Sequence, residues 1–263
     1  MQVITSKDNE TIKYIKRLKE KKYRDETKEY IIEGIKLLQE AIQEKVNIKT
    51  IVVCEDCEGN SGIEQSMLYE IAKYKCIYVS KKVFTSISEV ATPQGVLAVV
   101  EKGDNNENID YTEDIIIALD GISDPGNLGT ILRTVDSIGL KQIIVSKETA
   151  DSYNPKVVRS TMGAIFRLNI ITSENLAKTL KEIQKHKFEV IATSLQTNES
   201  IYDIKYKKKV IVIGNEANGV SKEVIELADK KVKIPMLGRT ESLNASVATG
   251  IMLYEYVRQK VTK

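Results

Sequence analysis

Residues 234–255 read IPMLGRTESLNASVATGIMLYE, and this stretch decides the fold more than any other part of the 263-residue chain. A short apolar run leads into a polar loop, after which Ser242, Leu243 and Asn244 stand at the start of a predicted helix. The first N–H groups of a helix lack partners and carry a partial positive charge, so this junction suits an anionic or electron-rich ligand. The helix is apolar on several sides, which predicts that it packs against a large surface.

Continuous apolar runs upstream of this stretch, such as IIIAL at 115–119 and VIVIG at 210–214, are typical of parallel strands buried on both faces. Strand and helix patterns alternate from residue 115 to the C-terminus, which predicts an α/β domain with a mostly parallel sheet. Ligands in such sheets bind beyond the carboxyl ends of the strands. That rule selects three loops, which we name the first loop (120–129), the second loop (214–220) and the third loop (236–244).

The first loop leads into a helix, and we expect Asn127 to cap that helix. Arg133 follows on the same helix, where a guanidinium can hold a phosphate or carboxylate through two hydrogen bonds. The alternative for Arg133 is an ordinary surface salt bridge, since helix arginines are common and mostly face solvent.

The second loop contains Glu216, whose charge would repel a phosphate but would suit a cationic ligand, a sugar or base donor, or a nearby arginine. Its equal alternative is a cap for the helix that begins near Ser221. The loop lacks both the G-x-G-x-x-G and the Gly-Lys-Ser/Thr pattern, which argues against a nucleotide-dependent oxidoreductase and a P-loop protein. In the third loop, Met236 and Leu243 are placed to sandwich an aromatic ring.

The composition is that of a soluble globular protein, with 42% hydrophobic and 29% charged residues. No apolar run approaches a membrane span and no secretory signal is visible, so we expect a cytoplasmic protein without membrane contact. Cys54 and Cys57 form a C-x-x-C with Cys76 farther on, but a structural zinc site needs a fourth ligand at matching spacing, and the single histidine, His186, lies far along the chain. We therefore expect three free thiols and no metal.

The first hundred residues also alternate between helix and strand patterns, beginning with a helix from Ser6 or Asn9 to about Tyr23. Residues 101–113, EKGDNNENIDYTE, are acidic and polar, as in a linker. The sequence therefore predicts two domains, at 1–104 and 113–263.

Basic residues concentrate in the first predicted helix, although the net charge of the chain is only +2. Such a cluster can neutralise RNA phosphates, and the equal alternative is a solvated helix face opposite the apolar stripe of Ile12, Ile15 and Leu18. The candidate RNA-binding residues here are Lys13, Lys16, Arg17, Lys21, Lys22 and Arg24.

Together the three loops resemble the SpoU (TrmH-like) branch of the SPOUT superfamily of RNA 2′-O-ribose methyltransferases. Three motifs of that branch recur in order: N-x-G-x-x-x-R at Asn127, Gly129 and Arg133; G-x-E-x-x-G at Gly214, Glu216 and Gly219; and I-P-M-x-G-x-x-x-S-L-N-x-S-x-A over 234–248. Asn154, Pro155 and Arg159 also look like the family, and Ala217 departs from the glycine of many members. The N-terminal half is similar, more loosely, to the ribosomal-protein-like substrate-binding domain of the ribosomal RNA members.

The resemblance implies an α/β fold with a deep C-terminal trefoil knot, which is an exception to the near-absence of knots in proteins. It also implies a homodimer, S-adenosylmethionine as methyl donor, and an RNA substrate, with 23S ribosomal RNA favoured over transfer RNA by the N-terminal domain. The cofactor-binding residues it implies are Gly214, Ile234 and Leu243, with Asn215 and Met236 nearby. Arg159 joins the candidate RNA-binding residues.

The catalytic residues that the resemblance implies are Arg133, Asn127, Glu216, Ser242 and Asn244. In the family Arg133 would be the base or activator of the ribose hydroxyl, but a guanidinium stays protonated in proteins, so stabilising a developing alkoxide is easier to defend. Glu216 would hold Arg133 or a partner residue in place. The alternatives are a transfer RNA 2′-O-methyltransferase, a SPOUT base methyltransferase and a noncatalytic RNA-binding protein.

Overall fold

The computed structural model describes residues 3–56, 65–103 and 108–262, and they form two compact units. The first unit comprises Met1–Asp104 with Asp151–Phe166, and the second comprises Asn105–Ala150 with Arg167–Lys263. The segment Asp151–Phe166, expected in the second domain, therefore belongs with the first unit. Otherwise the division into domains at 1–104 and 113–263 stays a prediction.

The first unit is built on a five-stranded mixed sheet in the order β1-β4-β3-β5-β2. Its strands are β1 (Val3–Ile4), β2 (Glu29–Glu33), β3 (Ile48–Cys54), β4 (Cys76–Val79) and β5 (Val96–Glu101). Its helices are α1 (Glu10–Arg17), α2 (Lys21–Thr27), α3 (Ile35–Gln43), α4 (Gln65–Ile71), α5 (Lys81–Ile87) and α7 (Pro155–Thr161). One buried cluster joins α1 and α5 to the sheet, through residues such as Ile15, Phe84 and Val52.

The second unit is built on a six-stranded sheet in the order β11-β9-β10-β6-β7-β8, in which every neighbouring pair is parallel. Its strands are β6 (Ile115–Asp120), β7 (Gln142–Ser146), β8 (Asn169–Ser173), β9 (Glu189–Thr193), β10 (Lys209–Gly214) and β11 (Lys230–Val232). Its helices are α6 (Pro125–Ser137), α8 (Leu176–Lys185), α9 (Lys222–Leu227) and α10 (Ala245–Val261). The predicted α/β fold with a mostly parallel sheet is confirmed, whereas the trefoil knot stays a prediction.

The register between β10 and β6 determines where the loops begin. Gly214, the last residue of β10, lies opposite Asp120, the last residue of β6. The two central strands therefore end level with each other, and the first and second loops leave the same edge of the sheet side by side. Both strands are apolar without alternation because helices cover both faces.

The predicted linker is in part a component of the second unit. Ile109 and Tyr111 pack against the core cluster of that unit, and the backbone N–H of Asp110 donates to Gln142 Oε1 at 2.9 Å. Residues 108–113 are thus anchored, and residues 104–107 lie outside the described part of the chain.

The predicted helix from Asn9 to Tyr23 is wrong in its length, because it divides into α1 and α2. Asn9 does cap α1, since its side chain accepts from the N–H of Thr11 at 2.9 Å. The interruption is held by Arg24, whose Nη1 donates to the Leu18 carbonyl at 2.7 Å. In a continuous helix that carbonyl would accept from the N–H four residues later. Strand β1 and helix α5 were not predicted from the sequence.

Arg24 was expected to contact RNA, and that expectation is wrong because its side chain is only 2% exposed. Its guanidinium forms an ion pair with Asp151, with Nε donating to Asp151 Oδ2 at 3.1 Å. Close by, the rings of Tyr30 and Tyr153 lie 4.8 Å apart. Arg24 and Tyr30 therefore hold the segment that begins at Asp151 within the first unit.

The expectation of three free thiols is wrong at Cys54, which takes part in a disulfide, and Cys76 is free. Cys57 lies outside the described residues. Among the residues that the structure describes, no three His, Cys, Asp or Glu side chains are grouped as metal ligands would be. None of the described helices combines the length and the apolar character that crossing a bilayer requires.

Asp151→Ala should lower the free energy of unfolding by about 3–5 kcal/mol, because it leaves the buried Arg24 guanidinium without its carboxylate. Urea denaturation followed by circular dichroism measures the change. Glu10→Ala is the control, since it removes an exposed ion pair with Lys13 and should barely move the unfolding midpoint. Equal midpoints for Asp151→Ala and Glu10→Ala would show that the buried pair contributes no stability.

Candidate functional site

The N-terminus of α6 is capped by Asp124, and the expectation that Asn127 is the cap is wrong. The Asp124 carboxylate accepts from the backbone N–H of Asn127 at 2.8 Å, and Pro125 occupies the first position of the helix, where no N–H is needed. Asn127 lies in the first turn. Its side-chain amide is consequently available for contacts outside the helix.

The Glu216 carboxylate accepts four hydrogen bonds from the first loop. Oε2 accepts from Ser123 N at 3.1 Å and Ser123 Oγ at 2.9 Å. Oε1 accepts from Asp124 N at 3.2 Å and from Asn127 Nδ2 at 2.9 Å. Burial raises the pKa of Glu216, but the hydrogen bonds from Asn127 and Ser123 outweigh that effect and lower the pKa to about 2. Glu216 is therefore ionised at neutral pH. It binds Asn127 and Ser123, and among the described residues it does not bind Arg133, which was one of its two expected partners.

The third loop joins this network through Asn244, the cap of α10. Asn244 Nδ2 donates to Asn127 Oδ1 at 2.9 Å. Its Oδ1 accepts from the backbone N–H groups of Ser246 and Val247 and from Ser246 Oγ at 2.7 Å. Asn244 thus caps its helix and binds Asn127 with opposite ends of one amide. The structure brings Glu216, Asn127 and Asn244 together, one from each loop.

Asn215 stabilises the second loop itself. Its Nδ2 donates to the Gly121 carbonyl at 2.7 Å, and its Oδ1 accepts from the N–H groups of Ala217 and Asn218. Its backbone N–H and carbonyl both pair with Gly219 at 2.9 Å. The side chain and backbone of Asn215 thus hold the loop itself, and its expected place beside the cofactor stays a prediction.

The tightness of the second loop explains why residue 214 is glycine. A Cβ on Gly214 would lie 2.1 Å from the carbonyl carbon of Gly219 and 2.1 Å from the backbone nitrogen of Val220. No side chain fits there without moving the backbone. Glycine is thus required at position 214 because the backbone of Gly219 and Val220 folds back against the end of β10.

Arg133 and Ser242 are exposed, and within the described part of the chain neither side chain forms a hydrogen bond or an ion pair. The structure does not place them in contact with the Glu216, Asn127 and Asn244 network. Their polar groups face solvent and are free to bind a substrate.

The third loop supplies unpaired backbone groups as well. Over the described chain, no hydrogen bond uses the backbone of residues 236–243. The third loop and the residues just before it also carry half-buried apolar side chains, which are Ile234, Met236 and Leu243. Apolar side chains beside free N–H and carbonyl groups fit a nucleoside-containing cofactor, which needs a surface for its base and partners for the base edge.

The remaining candidate RNA-binding residues lie in the first unit. Lys13 pairs with Glu10 at 2.9 Å, Lys22 is 4.0 Å from Glu26, and Arg17 lies over the ring of Tyr23. Lys16 and Lys21 form no salt bridge with any described residue. Arg159 has a buried Nη1 that lacks a hydrogen-bond partner among the described residues.

Sequence reasoning missed three contributors to the network. They are Ser123 and Asp124, which donate to Glu216, and Ser246, which donates to Asn244. The Asp-Pro pair at 124–125 is a signal for a helix start that would have identified the cap. Nothing local marks Ser123, because its partner is distant in sequence.

Comparisons with known proteins assign both halves of the chain. Residues 114–254 match the SpoU rRNA Methylase family, and residues 9–98 match the MRM3-like substrate binding domain. The chain is 31% identical over 255 residues to the Bacillus subtilis 23S rRNA (guanosine(2553)-2'-O)-methyltransferase RlmP. The alignment covers 97% of this chain and 98% of that relative.

Two solved structures are similar to this protein over nearly its whole length. The AdoMet-bound rRNA methyltransferase from Sinorhizobium meliloti has a TM-score of 0.83 and 32% identity, covering 98% of this chain and 97% of its own. An RNA 2'-O ribose methyltransferase has a TM-score of 0.85 and 28% identity, covering 99% of this chain and all of its own.

The ionised Glu216 should make the stability of the folded protein depend on pH in the acidic range. Its pKa is lowered from 4.5 to about 2 in the folded protein, so its contribution is complete above pH 4.5 and is lost as the pH falls toward 2. Glu216→Gln cannot titrate at this position. Thermal unfolding between pH 6 and 3 should therefore show the wild type losing more stability than Glu216→Gln, and parallel losses would contradict an ionised, hydrogen-bonded Glu216.

Proposed function

The chain belongs to the SpoU rRNA Methylase family, and from that premise we propose that it methylates the 2′-hydroxyl of a ribose in 23S ribosomal RNA with S-adenosylmethionine as the donor. The observation that carries this proposal is that Asn127 forms hydrogen bonds with both Glu216 and Asn244. Three loops distant in sequence converge there on one edge of the sheet. A noncatalytic RNA-binding protein would have no need for that convergence.

The cofactor would be held by the second and third loops. Gly214 ends a buried strand beside Asp120, and Ile234, Met236 and Leu243 offer apolar surface next to unpaired backbone groups. Two relatives of this fold were solved with AdoMet, which supports the same donor here. When bound, S-adenosylmethionine would supply a methyl group on a cationic sulfur, leaving a neutral thioether, while the ribose oxygen gains the methyl group and its proton is released to solvent.

Arg133 would act on the ribose and its phosphate. Its side chain is exposed and has no partner among the described residues, so it is accessible to RNA. Because a guanidinium stays protonated in proteins, we assign it to stabilising the negative charge that develops on the 2′-oxygen and to binding the adjacent phosphate. Ser242, equally exposed, would donate to or accept from the ribose hydroxyl.

The first unit would bind the RNA target. Its match to the MRM3-like substrate binding domain and the exposed Arg17, Lys21 and Lys22 of α1 and α2 support this role. Phosphate contacts by such residues add affinity that falls with salt. A protein that modifies ribosomal RNA works where ribosomes assemble, so we place it in the cytoplasm.

We further propose that the protein is a homodimer through α10. Val247, Tyr254 and Val261 are 51%, 56% and 74% exposed, and with the half-buried Ile251 they recur at the spacing of one helix face. An exposed apolar stripe of this kind marks an interaction site. The stripe begins in the turn that Asn244 caps, so a second copy seated on it would lie beside the network.

Labelled methyl transfer to unmodified transcripts of 23S ribosomal RNA and transfer RNA tests the proposed function. We expect transfer to 23S ribosomal RNA and a nuclease-resistant 2′-O-methylated dinucleotide in the product. Transfer to the tRNA transcripts alone, or a methylated base, would instead favour the alternative methyltransferases. Absence of both transfer and S-adenosylmethionine binding would favour a noncatalytic RNA-binding protein.

Arg133→Lys should lower kcat by about 100-fold with little change in S-adenosylmethionine affinity, because an ammonium cannot bind two oxygens at once. Arg167→Lys is the matched control, since Arg167 already pairs with Asp136 at 2.9 Å. Single-turnover rates together with calorimetric binding separate the two effects. Near wild-type transfer by Arg133→Lys would remove the guanidinium from the mechanism.

Tyr254→Glu should shift the protein to monomers, since it places a charge in the apolar stripe of α10. Leu195→Glu is the control, because Leu195 is 63% exposed but lies outside that helix. Sedimentation velocity measures the oligomeric state. A wild-type monomer, or a dimer that survives Tyr254→Glu, would contradict this interface.

A further inference from the structure

We propose that the Ser123 hydroxyl is a positioning group that fixes Glu216 and, through it, the amide orientations of Asn127 and Asn244. The consequence for methyl transfer rests on the proposed function, while the positioning itself does not. Neither the family motifs in this sequence nor the expected site residues include Ser123.

Each oxygen of the Glu216 carboxylate accepts two hydrogen bonds. On Oε1 the donors are Asp124 N and Asn127 Nδ2, and on Oε2 they are Ser123 N and Ser123 Oγ. Ser123 thus supplies both donors to one oxygen. Each hydrogen bond to the carboxylate narrows its rotation about the last bond of the side chain, and the Ser123 hydroxyl forms the shorter of the two bonds to Oε2, at 2.9 Å against 3.1 Å for the backbone N–H. Ser123 therefore sets the direction in which Oε1 meets Asn127.

The donor and acceptor directions of the hydrogen bonds that join Glu216, Asn127 and Asn244 follow from the groups at the two ends of this network. At one end an ionised carboxylate can only accept, so Asn127 must present its NH₂ to Glu216 and its oxygen to Asn244. At the other end the N–H groups of Ser246 and Val247 can only donate, so Asn244 must turn its oxygen to α10 and its NH₂ to Asn127. One arrangement satisfies every member. A rotated Glu216 would leave Asn127 without the acceptor that specifies its orientation.

The Ser123 hydroxyl also joins Glu216 to the base of the second loop. Asn215 Nδ2 lies 3.5 Å from Ser123 Oγ and 2.7 Å from the Gly121 carbonyl to which it donates. The hydroxyl can accept from Asn215 while it donates to Glu216, which a hydrocarbon side chain cannot do. The backbone N–H of Ser123 stays in place in any variant, so a substitution tests the hydroxyl alone.

Threonine and valine at position 123 form a matched pair, since they share a shape and differ by the hydroxyl. We expect Ser123→Thr to retain the wild-type kcat and Ser123→Val to lose roughly tenfold, because one charge-assisted hydrogen bond is removed. The KM for S-adenosylmethionine should be similar in both variants. Ser137→Val is the control, because the Ser137 hydroxyl donates within α6 and touches none of the network.

Spectra of protein labelled with ¹⁵N at asparagine supply a readout that does not depend on activity. The side-chain amide signals of Asn127 and Asn244, assigned with Asn127→Ala and Asn244→Ala, should move in Ser123→Val and stay in place in Ser123→Thr. If wild-type protein fails to transfer methyl groups, the proposed function fails while this comparison still decides the positioning role. Unmoved signals, or equal kcat in the two variants, would overturn the proposal.

Discussion

The Glu216 carboxylate is the group around which the first loop is organised, because it accepts four hydrogen bonds from donors that otherwise have no common partner. The third loop joins it through the bond from Asn244 to Asn127. Two of those donors, Ser123 N and Asp124 N, precede α6, where backbone N–H groups need acceptors from outside the helix. The favourable field of the helix N-terminus adds to the hydrogen bonds. A neutral side chain at position 216 would satisfy fewer of these donors and would not specify the orientation of Asn127.

This arrangement depends in turn on the parallel sheet. Gly214 and Asp120 are paired residues at the ends of β10 and β6, so the chain must leave both strands at the same level. The second loop then returns so closely that Gly219 and Val220 fill the space a Cβ would need at Gly214. That sharp return leaves Glu216 directly after the strand and within reach of Ser123. The position of the carboxylate is therefore a consequence of strand register and of one missing side chain.

The sequence predicts the strands and the edge where the site lies, but not the partners within it. Apolar runs such as 115–119 and 210–214 identify buried parallel strands, and the carboxyl-end rule then selects the three loops. Glu216 and Asn127 are 89 residues apart, and Asn127 and Asn244 are 117 apart, so no local pattern reveals which side chains meet. The break between α1 and α2 was missed for the same reason, since Arg24 is held by Asp151, which is 127 residues away.

The hydrogen bonds of the site divide its polar residues into two groups with different roles. Asn215, Glu216 and Asn244 use their side-chain groups on other parts of the protein. A group whose hydrogen bonds are all made gains little from a ligand, since binding would exchange one partner for another. Arg133 and Ser242 are exposed and have no such partners among the described residues, so a ligand gains their full interaction. An exposed pair without partners, on loops that an internal network keeps in one geometry, is the arrangement that a preorganised binding site requires.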